Sequence, residues 1–265
     1  MDRRTAIAVH GASGRMGQAI LHILFARADV TPVAALVRGD SLLVGTSLAR
    51  SFGEFAADLM YTTSLSASSA PDVLVDFSLP TAFDSALACA LERRIAFVSG
   101  TTGLDDRQLA ALARASESIP VLWSANFSLG VALLSRLVAQ AARALPDWDC
   151  EVAEAHHGAK KDAPSGTALA LAREVAAARG SDFDTAAKLR ESGLRSTGSI
   201  GFAVTRAGDI VGEHTVMFAT SGERIELVHR ATDRMVFARG AVTAARWIAR
   251  QSAGRYALAD VLASA

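Results

Sequence analysis

Cysteine is nearly absent. Cys89 and Cys150 are the only two in 265 residues, and neither stands in a metal-type spacing. That excludes a disulfide framework or a C-x-x-C zinc module, and the two read as buried free thiols of a reducing compartment. Net charge is missing as well: 27 basic residues balance 27 acidic ones. Nothing electrostatic therefore favours nucleic acid or an anionic membrane surface. Long apolar runs are also lacking. Arg136 and Arg143 interrupt the best candidate, so no membrane span is expected. The apolar run after Arg3 and Arg4 stops before a Gly11-Ala12-Ser13-Gly14 turn, unlike a signal peptide. A cytoplasmic location is the expectation.

What is present is ample core material. Half the chain, 51%, is hydrophobic, which specifies a globular protein of one large or two modest domains. Thr5 to His10, Thr31 to Val37, Asp72 to Phe77, Ile95 to Val98 and Pro120 to Trp123 read as strands. Helical spacing fills the gaps, with Met16, Ile20, Ile23 and Leu24 near one face of Arg15 to Ala28. Strands alternating with helices predict an α/β fold with a Rossmann-like, doubly wound parallel sheet. The rhythm changes after about Ser128. A long helix is expected from Leu129 to Leu145, a strand from Cys150 to Ala155, and a helix from Pro164 to Ala178. Three consecutive strands follow between Ser199 and Arg230, then a last helix from Asp233 to Arg250. This predicts a second, α+β domain with a mixed or antiparallel sheet. The change of rhythm puts a domain boundary near Ser128.

Gly11, Gly14 and Gly17 lie between the first strand and the first helix. Glycines there let the backbone turn tightly and approach a pyrophosphate that faces the helix N-terminus. An NAD-selective site places a carboxylate roughly 20 residues further on, against the ribose 2′-hydroxyl. Here the region reads Ala35-Leu36-Val37-Arg38-Gly39-Asp40, with an arginine where the carboxylate belongs. A guanidinium pairs with a 2′-phosphate, so NADPH is expected over NADH, with Arg38 and Arg15 at the phosphate. Gly100-Thr101-Thr102-Gly103 and Ser124-Ala125-Asn126-Phe127-Ser128 follow the fourth and fifth strands. Ligands sit at the carboxyl ends of such strands, and the small residues and hydroxyls of the first segment suit a nicotinamide amide.

The stretch Glu154 to Thr167 holds two of the six histidines, two lysines and a helix-start signal. Adjacent histidines on a strand point to opposite faces, so His156 and His157 do not form a natural metal pair. Ser165 lacks an elbow motif, and neither Tyr61 nor Tyr256 is followed by a lysine four residues on. Pro164 is expected in or near the first helical turn. Free N–H groups of Ser165, Gly166 and Thr167 would then cradle a carboxylate. Lys160 serves as a proton donor or as a second carboxylate partner.

Glu154-Ala155-His156-His157, then Lys160, then Asp162-Ala163-Pro164-Ser165-Gly166-Thr167-Ala168 resembles the signature of the 4-hydroxy-tetrahydrodipicolinate (dihydrodipicolinate) reductase family. Gly11 to Gly17, Gly100 to Gly103, Ala125 to Ser128 and Arg206 to His214 resemble that family in the same order. The resemblance implies a division into 1–128 with 239–265 for dinucleotide binding and 129–238 for substrate binding and tetramerisation, with a homotetramer built through the second domains. It implies a dicarboxylate substrate that loses its 4-hydroxyl as water and accepts hydride from NAD(P)H; with Arg38, NADPH is expected and NADH is the weaker alternative. By matching position, His156 and Lys160 become the proton-transfer pair. His157, Gly166 and Thr167 become substrate contacts. Gly11, Ala12, Ser13, Gly14, Arg15, Met16, Arg38, Gly100, Thr101, Thr102, Ser124, Ala125, Asn126 and Phe127 become cofactor contacts. Val37 stands where many members of the family carry an acidic residue, a departure that agrees with an NADPH preference.

Overall fold

The computed structural model describes residues 3–189 and 193–263. The chain divides into two compact units, one of 1–127 with 237–265 and one of 128–236.

In the first unit strands and helices alternate: β1 (Thr5–His10), α1 (Arg15–Ala26), β2 (Val30–Leu36), α2 (Ala49–Phe52), β3 (Tyr61–Thr62), β4 (Val73–Asp76), α3 (Pro80–Arg93), β5 (Ala96–Ser99), α4 (Asp106–Ala115) and β6 (Pro120–Trp123). The strands pair in parallel, with order β3, β2, β1, β4, β5, β6 from one edge. β4 and β5 are buried at every position. Helices on both faces of a parallel sheet leave its strands no wet side, which is why these runs are apolar throughout. Leu74, Phe83, Phe97, Leu112 and Val121 form one core cluster there.

The second unit carries α5 (Leu129–Ala144), β7 (Asp149–His156), α6 (Gly166–Arg179), α7 (Phe183–Ala186), β8 (Ala187–Lys188), β9 (Ile200–Arg206), β10 (Gly212–Thr220) and β11 (Glu223–Ala231). Its sheet runs β11, β10, β7, β9, β8. β10 is antiparallel to β7 and β11, while β9 is parallel to β7. The sheet is therefore mixed. Although β9 and β10 are consecutive in sequence, β7 lies between them. The alternating burial of β7 presents Cys150, Val152, Glu154 and His156 to the interior. Val138, Leu171, Val175, Val216 and Phe218 pack in the same cluster as the first two. Burial pushes the Cys150 thiol up to about 12, consistent with an inert core thiol.

α8 (Met235–Ile248) leads back to the first unit, where β12 (Gly254–Tyr256) adds a seventh parallel strand beside β6 and α9 (Leu258–Ala263) follows. Sequence periodicity reveals neither β3 nor β12, because two or three residues are too few to show a period. Among the described residues no helix is long and apolar enough to cross a membrane.

Candidate active site

Because the strands of the first unit are parallel, the segments following β1, β2, β5 and β6 emerge on one edge of the sheet. The strand order reverses between β1 and β4, which makes their carboxyl ends the topological switch point. Gly11 has φ +77, and a Cβ there would lie 2.6 Å from the Phe77 carbonyl oxygen. A Cβ on Gly17 would lie 2.3 Å from the Gly11 carbonyl oxygen. These two positions require glycine, and they seat the first turn of α1 directly on the loop. Gly14 is the N-cap, and no side chain caps the helix. Gly11, Ala12, Ser13 and Gly14 form the turn, while Arg15 and Met16 open the helix. An uncapped helix N-terminus behind a close-packed glycine turn fits a dinucleotide pyrophosphate. Arg38 lies in the segment after β2, exposed, with Nε 3.5 Å from Asp40 Oδ1.

A buried carboxylate organises the switch point. Asp76 ends β4 with its side chain fully buried. Its Oδ1 lies 2.8 Å from His10 Nδ1, and its Oδ2 accepts from Ser99 Oγ at 2.9 Å and Thr101 Oγ1 at 2.8 Å. Burial drives this carboxyl upward, but the contact with His10 and the bonds from Ser78 and Thr101 hold it below the usual range. The Thr101 hydroxyl, expected to face an amide, is thus engaged by Asp76. Its backbone is engaged too: the carbonyl accepts from Trp123 Nε1 at 2.9 Å, and the amide donates to Ser99 Oγ at 3.2 Å. Gly100 packs under the Phe77 ring, Thr102 is exposed, and Ser124 Oγ donates to the Asn126 carbonyl at 2.7 Å. Ala125 completes this turn. Phe127 is buried, 5.2 Å from the Phe77 ring. A lone aspartate in Val73-Leu74-Val75-Asp76-Phe77 was a visible signal, since a buried charge needs partners.

In the second unit the histidine segment gathers around another buried carboxylate. Glu154 and His156 sit two apart on β7, hence on one face. His156 Nδ1 is 2.5 Å from Glu154 Oε2. Arg206, at the end of β9, grips both carboxylate oxygens at 2.8 Å, and the Ser165 amide donates to Oε1 at 3.0 Å. Burial alone would raise the Glu154 carboxyl. Arg206, His156 and the Ser165 N–H outweigh it and hold the group below its ordinary value. Lys160 Nζ meets Asp162 Oδ1 and Oδ2 at 2.8 and 2.9 Å, which lowers the Asp162 carboxyl.

The start of α6 differs from the expectation in two ways. The N-cap is Ser165, whose Oγ accepts from the Ala168 amide, and Pro164 precedes it after a cis bond from Ala163. Pro164 is therefore near the first turn, as expected, but the helix itself begins two residues later, at Gly166. The Ser165 N–H is not free either, because Glu154 takes it. Gly166 is exposed, with nothing within 4 Å of where a Cβ would stand, and its amide donates to the Asp162 carboxylate. Thr167 follows it in the first turn. His157 leaves the strand half-buried, away from His156. His214, on neighbouring β10, has its ring 5.2 Å from that of His156 and its Nε2 3.1 Å from Ser165 Oγ. Burial, then the neighbouring His156, push His214 down to about 4, so it is a neutral imidazole at neutral pH. His156, His157, Lys160, Gly166 and Thr167 lie in one segment between the end of β7 and the first turn of α6. The structure adds Glu154, Arg206 and His214 as partners; Glu154 shares a face with His156 by strand alternation, while Arg206 and His214 come from other strands.

The arrangement offers a proton-active imidazole and an amine beside a helix start. Known proteins carry the same two-part sequence. The family model "Dihydrodipicolinate reductase, N-terminus" matches residues 5–127, and "Dihydrodipicolinate reductase, C-terminus" matches 130–262. The 4-hydroxy-tetrahydrodipicolinate reductase of Pseudoalteromonas atlantica is 44% identical over 261 residues, covering 97% of this chain and 98% of that protein. That of Stenotrophomonas maltophilia strain K279a is 46% identical over 254 residues, 96% of each. A solved structure, dipicolinate-bound dihydrodipicolinate reductase from Paenisporosarcina sp. TG-14, superposes with TM-score 0.78 at 24% identity, covering 96% of this chain and 97% of that one. That last likeness speaks for the fold.

Proposed function

This chain belongs to the dihydrodipicolinate reductase family, and we propose, from that membership and the two half-sites, how it reduces 4-hydroxy-tetrahydrodipicolinate to tetrahydrodipicolinate, with loss of water, in lysine and diaminopimelate biosynthesis. The observation that carries the residue roles is the cluster at the end of β7. There a histidine bound to a buried glutamate and a lysine lie in one segment with the start of α6.

NAD(P)H, when bound, supplies the hydride. Gly11, Ala12, Ser13, Gly14, Arg15 and Met16 hold its pyrophosphate. Gly100, Thr101, Thr102, Ser124, Ala125, Asn126 and Phe127 line its nicotinamide end. In the second unit Gly166, Thr167 and His157 hold the substrate carboxylates. Loss of the 4-hydroxyl with a hydrogen of carbon 3, as water, gives an unsaturated imine; as hydride adds to its carbon 4, electron density moves to the ring nitrogen, and a protein acid must deliver a proton there. Lys160 and His156 supply it. The Lys160 ammonium, now on Asp162, exchanges that partner for the dianionic substrate. NADPH oxidation followed by its absorbance, with freshly prepared substrate present and absent, tests the reading. Oxidation that does not depend on substrate would overturn it.

NADPH is the preferred cofactor. Arg38 is exposed and meets only the equally exposed Asp40 across 3.5 Å, a contact of small energy that a phosphate dianion displaces. Arg38→Ala is expected to cut kcat/KM for NADPH by about tenfold, roughly the energy of one exposed charge-assisted bond, and to leave NADH nearly unaffected. An unchanged ratio of the two would sink the assignment. We further propose a cytoplasmic homotetramer assembled through the second unit. A monomer mass by light scattering at assay concentration would refute the assembly.

A further inference from the structure

We propose that Glu154 is the positioning residue of the substrate half: one buried carboxylate sets the tautomer of His156 and, through the Ser165 amide, the seat of α6. This rests on the reading that His156 takes part in proton transfer. Three N–H donors and a ring nitrogen of His156 converge on the carboxylate, two groups per oxygen. Oε2 faces His156 Nδ1 at 2.5 Å and Arg206 Nη1 at 2.8 Å, while Oε1 faces the Ser165 amide at 3.0 Å and Arg206 Nη2 at 2.8 Å. The Glu154 side chain is fully buried, so water does not compete for those oxygens.

The consequence for the imidazole follows from donor and acceptor counting. An ionised carboxylate only accepts, so Nδ1 must carry the proton in neutral His156. Nε2 is then left without a proton, ready to take one and pass it on. It lies over Gly212, where a side chain would begin 3.1 Å away. The neighbouring neutral His214 does not contest this, since its Nε2 is bound to Ser165 Oγ. Arg206 supplies the charge that keeps Glu154 ionised at depth. The same carboxylate holds the N-cap residue of α6, so histidine orientation and the helix start share one support.

Replacing Glu154 by Gln changes one acceptor into a donor. An NH2 placed at the Oε1 side would oppose two fixed donors, Ser165 N–H and Arg206. Placed at the Oε2 side it opposes Arg206 and a ring nitrogen that can give up its proton. Glu154→Gln is therefore expected to turn His156 to the Nε2–H tautomer. The readout is the 15N spectrum of histidine-labelled protein, with His156 assigned by its loss in His156→Gln. Wild-type protein should show Nδ1–H when His156 is neutral, a result that needs no Glu154 variant to fold. In Glu154→Gln the pattern should reverse, with kcat down about 10- to 100-fold and KM changed far less, as expected when a general acid–base histidine is held in the wrong tautomer. An Nε2–H tautomer in the wild type, or an unmoved tautomer in Glu154→Gln, overturns the proposal. If the tautomer moves and kcat does not, the role of His156 in proton transfer falls instead, and His156→Gln at wild-type rate makes the same point independently.

Discussion

Lys160→Ala is expected to lower kcat by about 10²- to 10³-fold, the range for loss of a general acid, with NADPH affinity at its wild-type value. The side chain is 21% exposed and ends between two oxygens of Asp162. It is held in place but not sealed, as a group that must meet a ligand needs to be. Two roles were open for it, proton donor and carboxylate partner, and Lys160→Arg separates them. A guanidinium keeps the positive charge and still pairs with a carboxylate, but it does not release a proton near neutral pH. The donor role predicts that Lys160→Arg restores KM and leaves kcat low. Recovery of both would make Lys160 an anchor only. A wild-type kcat in Lys160→Ala would remove it from the chemistry altogether. Stopped-flow single turnover with each variant reads the step directly.

Gly17→Ala is expected to have a large effect on the glycine turn of the first unit. The new methyl would stand 2.3 Å from the Gly11 carbonyl oxygen and 2.7 Å from Ala12 Cα. Both are backbone atoms and cannot rotate aside. The Gly11 oxygen also accepts from the Gly14 amide at 2.9 Å, so moving it disturbs the whole turn. Overpacking against backbone of this kind costs about 3 kcal/mol, the upper end of the usual range. For a chain of this size that lowers Tm by roughly 6–12 °C. If the turn seats the pyrophosphate, NADPH affinity falls by at least about tenfold through the displaced helix start. Gly39→Ala is the control: nothing lies within 4 Å of its Cβ position, so stability should change by less than about 0.5 kcal/mol. Calorimetry and NADPH fluorescence titration on both variants check the pair. Normal cofactor affinity in a folded Gly17→Ala protein would show that the turn does not hold the dinucleotide.

The sequence by itself determined the architecture of both units. Apolar runs such as Val73-Leu74-Val75 and Phe97-Val98 carry no polar alternation, which only strands buried on both faces permit. The change of rhythm after Ser128 marked a second kind of sheet. Gly11, Gly14 and Gly17 located the turn, because a glycine requirement is written in the residue type itself. His156, Lys160 and Gly166 were legible as a local segment, with all their spacing inside a dozen residues. The tertiary structure alone decided what those groups touch. Arg206 reaches Glu154 because β9 pairs with β7 in parallel, setting Arg206 opposite His156 across 50 residues of chain. His214 joins them because β10 flanks β7 on its other side, opposite Glu154. Asp76 binds His10, Ser99 and Thr101 only because β1, β4 and β5 are adjacent. Periodicity reports which face of an element is buried, since burial depends on one element's own spacing. Which donor meets a buried carboxylate depends on strand order and register, properties of several segments at once, and so the partners of Glu154 and Asp76 appear only in the folded chain.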